Sequence, residues 1–356
     1  MFEISMLPAA HGDCLWIEYG TKAKPNRILI DCGTGPSYPA LKEKIESLPE
    51  NQRHFELFVV THVDDDHIGG ALKFLDQLDG LKVKIDDIWF NSYPHLNREA
   101  VPSTDVLGPK QGEKLSDLIV ARGIRWNRHF DRRAVVCEEE GELPNFKLDG
   151  GMAITLLSPY WPQLEKMKTA WENECKKAGL MPGAFVDDAK DDTLGTAKEV
   201  QTLADTPFKA DAAPANGSSI AFLAEYRGHQ VLFGADAYSP ILEKSLTTLG
   251  YGSENRLPLA AFKAPHHGSQ RNCSSDLIQS LTARNLLIST NGDKFEHPDQ
   301  EAIARMVVYN EPGGVFHFNY LSEFNKYWKK PSMQLEHKYE AVYPEPNESG
   351  ILVKIL

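Results

Sequence analysis

Strand-length apolar runs separated by turns dominate both ends of the chain. Residues 1–7, 14–19 and 27–31 read as an opening antiparallel meander, with turns at His11-Gly12-Asp13 and Lys24-Pro25-Asn26. Gly33-Thr34-Gly35-Pro36 breaks the third strand, and a helix is expected near 39–48. The run Phe55-Glu56-Leu57-Phe58-Val59-Val60 predicts a short buried strand. A helix opened by Gly69-Gly70 follows over 69–78, then a strand over 83–91.

The pattern is less regular over 92–150, where 111–122 has the helical spacing of Leu115, Leu118 and Ile119. A strand over 152–157 leads into a helix over 162–178 carrying Leu164, Met167, Trp171 and Cys175. Residues 180–215, rich in Asp, Ala, Pro and Thr, read as a long surface excursion or a mobile lid. Strands return at 219–226 and 230–234 around the tight turn Arg227-Gly228-His229. Further short strands are expected at 259–264 and 285–290 with a helix between them, and at 314–318 and 351–356. Pro298 suits the first turn of a helix over 299–308. Two β-rich halves, each covered by helices, predict an α+β fold, a four-layer αβ/βα sandwich rather than a doubly wound sheet. The expected organisation is one domain over 1–356, with 92–215 as an irregular central insertion and 314–356 as a C-terminal extension.

Composition narrows the function classes. The chain has 356 residues, 42% hydrophobic and 25% charged, the balance of an ordinary soluble globular protein. No apolar run reaches the roughly eighteen residues of a membrane-spanning helix. The segment Met1-Phe2-Glu3-Ile4-Ser5-Met6 reads as a strand, not a signal peptide. Five scattered cysteines, at 14, 32, 137, 175 and 273, form no disulfide framework, so a reducing cytoplasm is the expected home. A net charge of -12 argues against a broad nucleic-acid surface but leaves room for a local basic groove.

The candidate chemistry centres on Thr61-His62-Val63-Asp64-Asp65-Asp66-His67-Ile68-Gly69-Gly70, directly after the predicted strand. Imidazoles and carboxylates are the ligands of zinc, manganese and iron. Three adjacent carboxylates repel one another unless a cation neutralises them. A solvated acidic turn would not explain the histidine on each side. Four further motifs sit at strand ends: Leu29-Ile30-Asp31-Cys32-Gly33, Leu232-Phe233-Gly234-Ala235-Asp236-Ala237, Ala264-Pro265-His266-His267-Gly268-Ser269, and Asn291 with Glu296-His297-Pro298. Singly, each has a plain reading, since a strand-end Asp often caps a helix and paired histidines often pack together.

Taken in order, these motifs resemble the metallo-β-lactamase superfamily. The resemblance is strongest to the branch containing the hydrolase domain of bacterial competence DNA-uptake channels, the ComEC-type domains. That branch replaces the second His of the HxHxDH motif with Asp, as His62, Asp64, Asp66 and His67 do here. It also carries counterparts of Gly12-Asp13, Asp31-Cys32-Gly33, Asn216-Gly217-Ser218-Ser219, Gly234-Ala235-Asp236, the PHHGS at 265–269 and Glu296-His297-Pro298, so the match spans about 5–308. The resemblance implies one or two divalent metals, zinc or manganese. His62 and Asp64 would hold the first and Asp66 and His67 the second. Asp236 would bridge them, and His267 would complete the second site, with His266 the less favoured of that pair. Asn216 stands where the family's third-motif His is expected, which implies one tight and one weak metal. An oxygen-rich set also shifts preference toward manganese. Asp31 would orient a ligand His from behind. Asp66 would in addition orient water or shuttle a proton, and Ser269, Asn291 and His297 would contact substrate oxygens. His95, His129 and Cys32 read as ordinary structural residues.

The function this implies is a metal-dependent hydrolase acting through activated water on a phosphodiester, as a phosphodiesterase or nuclease. An acyl ester or lactone hydrolase and a catalytically inert metal-binding interaction module stay open. Lys22/Lys24, Arg122/Arg125/Arg128 and Arg132/Arg133 are candidate backbone contacts, with Trp126 and Phe130 placed to stack single-stranded nucleic acid. No membrane partner is expected. A homodimer or a docked protein partner stays open, through 180–215 or the aromatic tail of Tyr320, Phe324, Tyr327 and Trp328.

Overall fold

The computed structural model describes residues 1–98, 110–177, 199–346 and 348–356. Most of the stretch read as an excursion or lid, and the Cys175 side chain, lie outside the described residues.

Two sheets face each other. In the first, the strands run Ile351–Lys354, Phe2–Met6, Leu15–Gly20, Pro25–Ile30, Leu57–Val59 and Ile88–Trp89 in spatial order. The first four pair antiparallel and the last three parallel. Strand alternation sorts their side chains. Leu15, Ile17, Ile28, Ile30, Leu57 and Val59 enter the core shared with the second sheet, while Trp16, Leu29 and Phe58 face the other way. That outer face is covered by helix Tyr38–Glu46, through Tyr38, Leu41 and Ile45, and by helix Asp65–Asp76, through Ile68, Ala71, Phe74 and Leu75.

The second sheet repeats the design. Asn145–Lys147, Ala153–Ser158, Ala221–Tyr226 and His229–Phe233 pair antiparallel, and Leu257–Lys263, Leu281–Ile288, Val315–Phe318 and Glu340–Val342 continue in parallel. Helices Ser239–Thr248, Ser275–Gln279 and Gln300–Tyr309 pack Leu242, Leu246, Leu277, Ile278, Ile303 and Met306 into its apolar cluster. Helices, sheet, sheet and helices make the α+β sandwich that the patterning predicts. Among the described residues no helix is long and apolar enough to cross a membrane.

Several boundaries differ for local reasons. The 55–60 run divides at Glu56, whose carboxylate accepts from the Tyr19 hydroxyl and, at 2.5 Å, from Gly150 N. The 83–91 run divides at Asp86 and Asp87, where Asp86 meets His54 Nε2 at 2.6 Å and Asp87 accepts from Arg128 N. The helix after the His/Asp turn begins at Asp65, not at the glycines, because acidic residues suit a helix's positive first turn. Gly70 sits inside it because a Cβ there would lie 2.1 Å from Cys32 O. Pro298 precedes the N-cap Asp299 rather than occupying the first turn. The tail 314–356 is woven in: it adds two strands to the second sheet and one to the first, and Trp328 is fully buried in the core.

Candidate metal centre

Parallel strands bring the centre together, since open α/β edges gather ligands at strand C-termini. His62 follows Leu57–Val59, Asp31 follows Pro25–Ile30, Asp236 follows His229–Phe233, and His266 and His267 follow Leu257–Lys263. Asp64 takes the N-cap position of helix Asp65–Asp76 but its side chain makes no capping hydrogen bond, so capping does not account for this carboxylate. Its Oδ2 lies 3.5 Å from His62 Nε2 instead. Gly12 is required by close approach, because a Cβ there would stand 1.8 Å from Asp66 O. Asp31, His266 and His267 all have positive φ, at 54°, 46° and 55°, a conformation that costs free energy and clusters at functional sites.

The decisive geometry surrounds one oxygen. Asp236 Oδ2 has His67 Nε2 at 3.5 Å, His266 Nε2 at 3.7 Å, and His62 Nε2 and His267 Nε2 each at 3.8 Å. Asp66 Oδ2 lies 3.5 Å from His267 Nε2 and 3.8 Å from His67 Nε2. The Nε2 atoms of His67 and His267 are 3.3 Å apart. Two nitrogens each about 2.0–2.1 Å from one tetrahedral ion would stand roughly that far apart. His62 Nε2 and Asp236 Oδ1 are buried with no hydrogen-bond partner.

The other ring nitrogens are spoken for. His67 Nδ1 donates to Asp31 Oδ2 at 2.8 Å, and His267 Nδ1 donates to Ser289 O at 2.8 Å. Thr61 Oγ1 gives its proton to Asp31 Oδ2 at 2.7 Å, so it accepts from His62 Nδ1 at 3.0 Å. Asp31 Oδ1 accepts from Thr61 N. With Nδ1 protonated, each neutral ring turns an Nε2 lone pair inward. Lone pairs facing a carboxylate need a positive charge between them, and 3.5–3.8 Å is too long for a hydrogen bond to supply it. The donor set therefore fits divalent metal. Among the described residues, three groups of side chains have ligand atoms within 4.8 Å of one another: His62, His67 and Asp236; Asp66, His67 and His267; and Asp13, Asp236 and His267.

Protons compete for the same places. Burial is the largest influence and disfavours imidazolium at His67, His266 and His267, but the surrounding acceptors, Asp236 first among them, together override it and hold all three above the ordinary histidine value, His266 at about 9. Burial likewise opposes ionisation of Asp66 and Asp236. The His67 charge leads the effects that override it, and both carboxyls stay well below the usual range.

Of the residues expected at the site, His62, Asp64, Asp66, His67, Asp236, His266 and His267 converge, with Asp31 behind His67. Asn216 stands one step back, its Nδ2 donating to Asp211 Oδ2 at 2.7 Å and lying 3.4 Å from His266 Nδ1. His297 is buried with its ring 5.2 Å from that of His266. Ser269 Oγ accepts from Arg271 N, and the Asn291 side chain closes a turn with Asp293 through both its oxygen and its nitrogen. Asp65 is exposed and accepts from Gln111, tying the helix starts together.

Sequence reasoning assigned no role to Asp13, Thr61, Asp211, Lys263 or Asn272. Asp13 pairs with buried Lys263 at 2.7 Å and approaches His267 Nδ1 at 3.5 Å, on the side away from Nε2. The Gly-Asp turn signalled Asp13, whereas Asp211 lay hidden in a stretch that reads as surface. Phe130 packs on Trp89 at 5.3 Å and Phe146 at 4.9 Å, and Trp126 lies between Phe90 and His95, while both rings stay partly exposed.

A sequence profile of the metallo-β-lactamase superfamily matches residues 11–292. The chain belongs to this superfamily. Its members are mostly metal-dependent hydrolases. Among solved structures, the chain resembles the metallo-β-lactamase-fold protein YhfI from Bacillus subtilis, at 9% identity, a TM-score of 0.42, and coverage of 99% of this chain and 98% of that one. No curated protein matches it.

Proposed function

We propose that this superfamily member is a metal-dependent phosphodiesterase. The observation that carries the hydrolase reading is the convergence of four inward-turned imidazoles on Asp236 Oδ2. The preference for a phosphodiester rests on the ComEC-type pattern, with Asp64 in place of the usual His beside a PHHGS turn. His62, Asp64, Asp66, His67, Asp236 and His267 would hold zinc or manganese. Divalent metal supplies water made acidic enough to attack at neutral pH and polarises the substrate oxygen.

The chain's own groups do the rest. Asp66 stays ionised and is placed to accept a water proton. Asp31 fixes the His67 tautomer, and Ser289 O fixes that of His267. His297, packed beside His266, would contact the substrate's non-reacting oxygens. A polynucleotide would meet the exposed Arg128, Arg132 and Arg133 on the 122–133 loop, beside the partly exposed Trp126 and Phe130.

The test is hydrolysis of bis(p-nitrophenyl) phosphate beside p-nitrophenyl acetate and a lactone, after loading with manganese or zinc. Diester turnover is expected, and Asp66→Ala and His67→Ala should each lose metal and turnover together. Turnover of the acyl substrates alone would move the protein to the ester and lactone class. A protein that takes up no metal would sink the hydrolase reading.

A further inference from the structure

The first metal's ligand set, His62, Asp64 and Asp236, lacks the histidine that the family pattern expects, and the chain has Asn216 at that place. The structure puts another imidazole there. His266 comes from the turn after strand Leu257–Lys263, and its Nε2 reaches Asp236 Oδ2 at 3.7 Å, the same shell as the other three rings. Consecutive residues on ordinary backbone would send their rings apart. The left-handed φ of both His266 and His267 aims the two at one carboxylate.

The surroundings of His266 fix its tautomer. Asn272 Nδ2 donates to Asp211 Oδ2, Asp236 O and Ala237 O, at 3.1, 3.0 and 3.2 Å. That orientation leaves Asn272 Oδ1 as an acceptor, and it lies 2.9 Å from His266 Nδ1. His266 Nδ1 therefore carries a proton, and the lone pair of the neutral ring is on Nε2, toward Asp236. Asp211 Oδ2 approaches the same Nδ1 at 3.6 Å and gathers the Asn216 and Asn272 amides. Asn272 Oδ1, held in place through Asp211, is thus the outer acceptor that fixes the ring, as such acceptors do for metal-ligating histidines.

We propose that His266 is a metal ligand, standing in for the histidine that Asn216 replaces, and that Asp211 positions it. The proposal rests on the metal-dependent reading above and deepens it. The centre then has four imidazoles where the resemblance alone supplies three.

The experiment loads the full-length protein with Co(II) and follows its visible absorption and affinity by titration. His266→Gln is expected to change the ligand-field bands and weaken one ion by more than the about 10–100-fold typical of supporting residues. Asp211→Asn should weaken it within that range, and Asp211→Glu should restore it. As a measurement free of mutation, proton NMR of the Co(II) protein should show four hyperfine-shifted exchangeable imidazole signals, from His62, His67, His266 and His267. A folded His266→Gln protein with unchanged bands and affinity overturns the proposal, and so does an NMR count of three. A parent that binds no cobalt overturns both this proposal and the hydrolase reading. A parent that binds cobalt but turns over no diester leaves this proposal standing and sinks only the substrate assignment.

Discussion

The molecule buries histidines in two very different settings, and the contrast shows what a metal centre looks like before any ion is considered. His95 sits beside the edge of the first sheet, in a cavity of about 330 Å³ lined by Pro94, Arg98, Phe130, Glu138 and Trp161 among others. Its Nδ1 accepts from Ser92 N at 3.2 Å and faces Ser92 Oγ at 3.0 Å, closing a small capping box. Burial pushes its pKa down to about 4, opposed only in part by backbone hydrogen bonds to Arg132 and Ser92. Beside Asp236, His67 and His267 are fully buried and His266 is about 20% exposed, yet all three are held above the ordinary value by facing acceptors. A buried histidine that has found its own partner is scaffold. One whose free nitrogen faces another acceptor waits for a cation.

The comparison breaks most sharply at Asp236. Asp236→Asn keeps the shape but removes the charge that all four rings face. Metal affinity is expected to fall by more than about 100-fold, beyond what loss of a supporting group causes, and diester turnover should go with it. Equilibrium dialysis with zinc and manganese measures the first. Full metal binding by this variant would mean that the rings answer to something else.

Asp31→Asn probes support rather than contact. The amide can still accept from Thr61 N, but it no longer presents a charged acceptor to His67 Nδ1. A loss of about 10–100-fold in affinity is expected, with the circular dichroism spectrum retained.

His95 supplies the smallest and most distinct effect. Its folded pKa, about 4, lies below the ordinary 6.5, so the unfolded chain takes the proton first as the medium is acidified. Its contribution is flat above neutrality and is lost between pH 6.5 and about 4. At pH 5 the expected cost is on the order of 2 kcal/mol. His95→Gln should remove that part of the slope in chelator-treated protein followed by thermal melts against pH. His317, also lowered to about 4 by burial, leaves a residual slope. An unchanged pH dependence would contradict the buried, neutral state of His95.

Much of this was legible in the chain, and the exceptions share a cause. Short apolar runs foretold both sheets because the strands are buried on both faces, one in the common core and the other under helices. The His/Asp turn and the PHHGS turn stood out because their residue types make little sense as surface. What stayed hidden depended on distant partners. Nothing local marks Glu56 as the acceptor for Tyr19 and Gly150, so the strand break there is a tertiary event. Asp211 and Asn272 are unremarkable residues until the fold sets them around one ring nitrogen.

The supports of the centre come from both sheets, and so does the chain's own seam. Strand Ile351–Lys354 returns from the second half to zip onto Phe2–Met6 at one side. His62, Asp66 and His67 of the first half meet Asp236 and His267 of the second. An ion seated there would act as a rivet between the halves, so occupancy and folding would be read on one scale. Chelation would then loosen the whole sandwich, far beyond the few side chains that touch the ion.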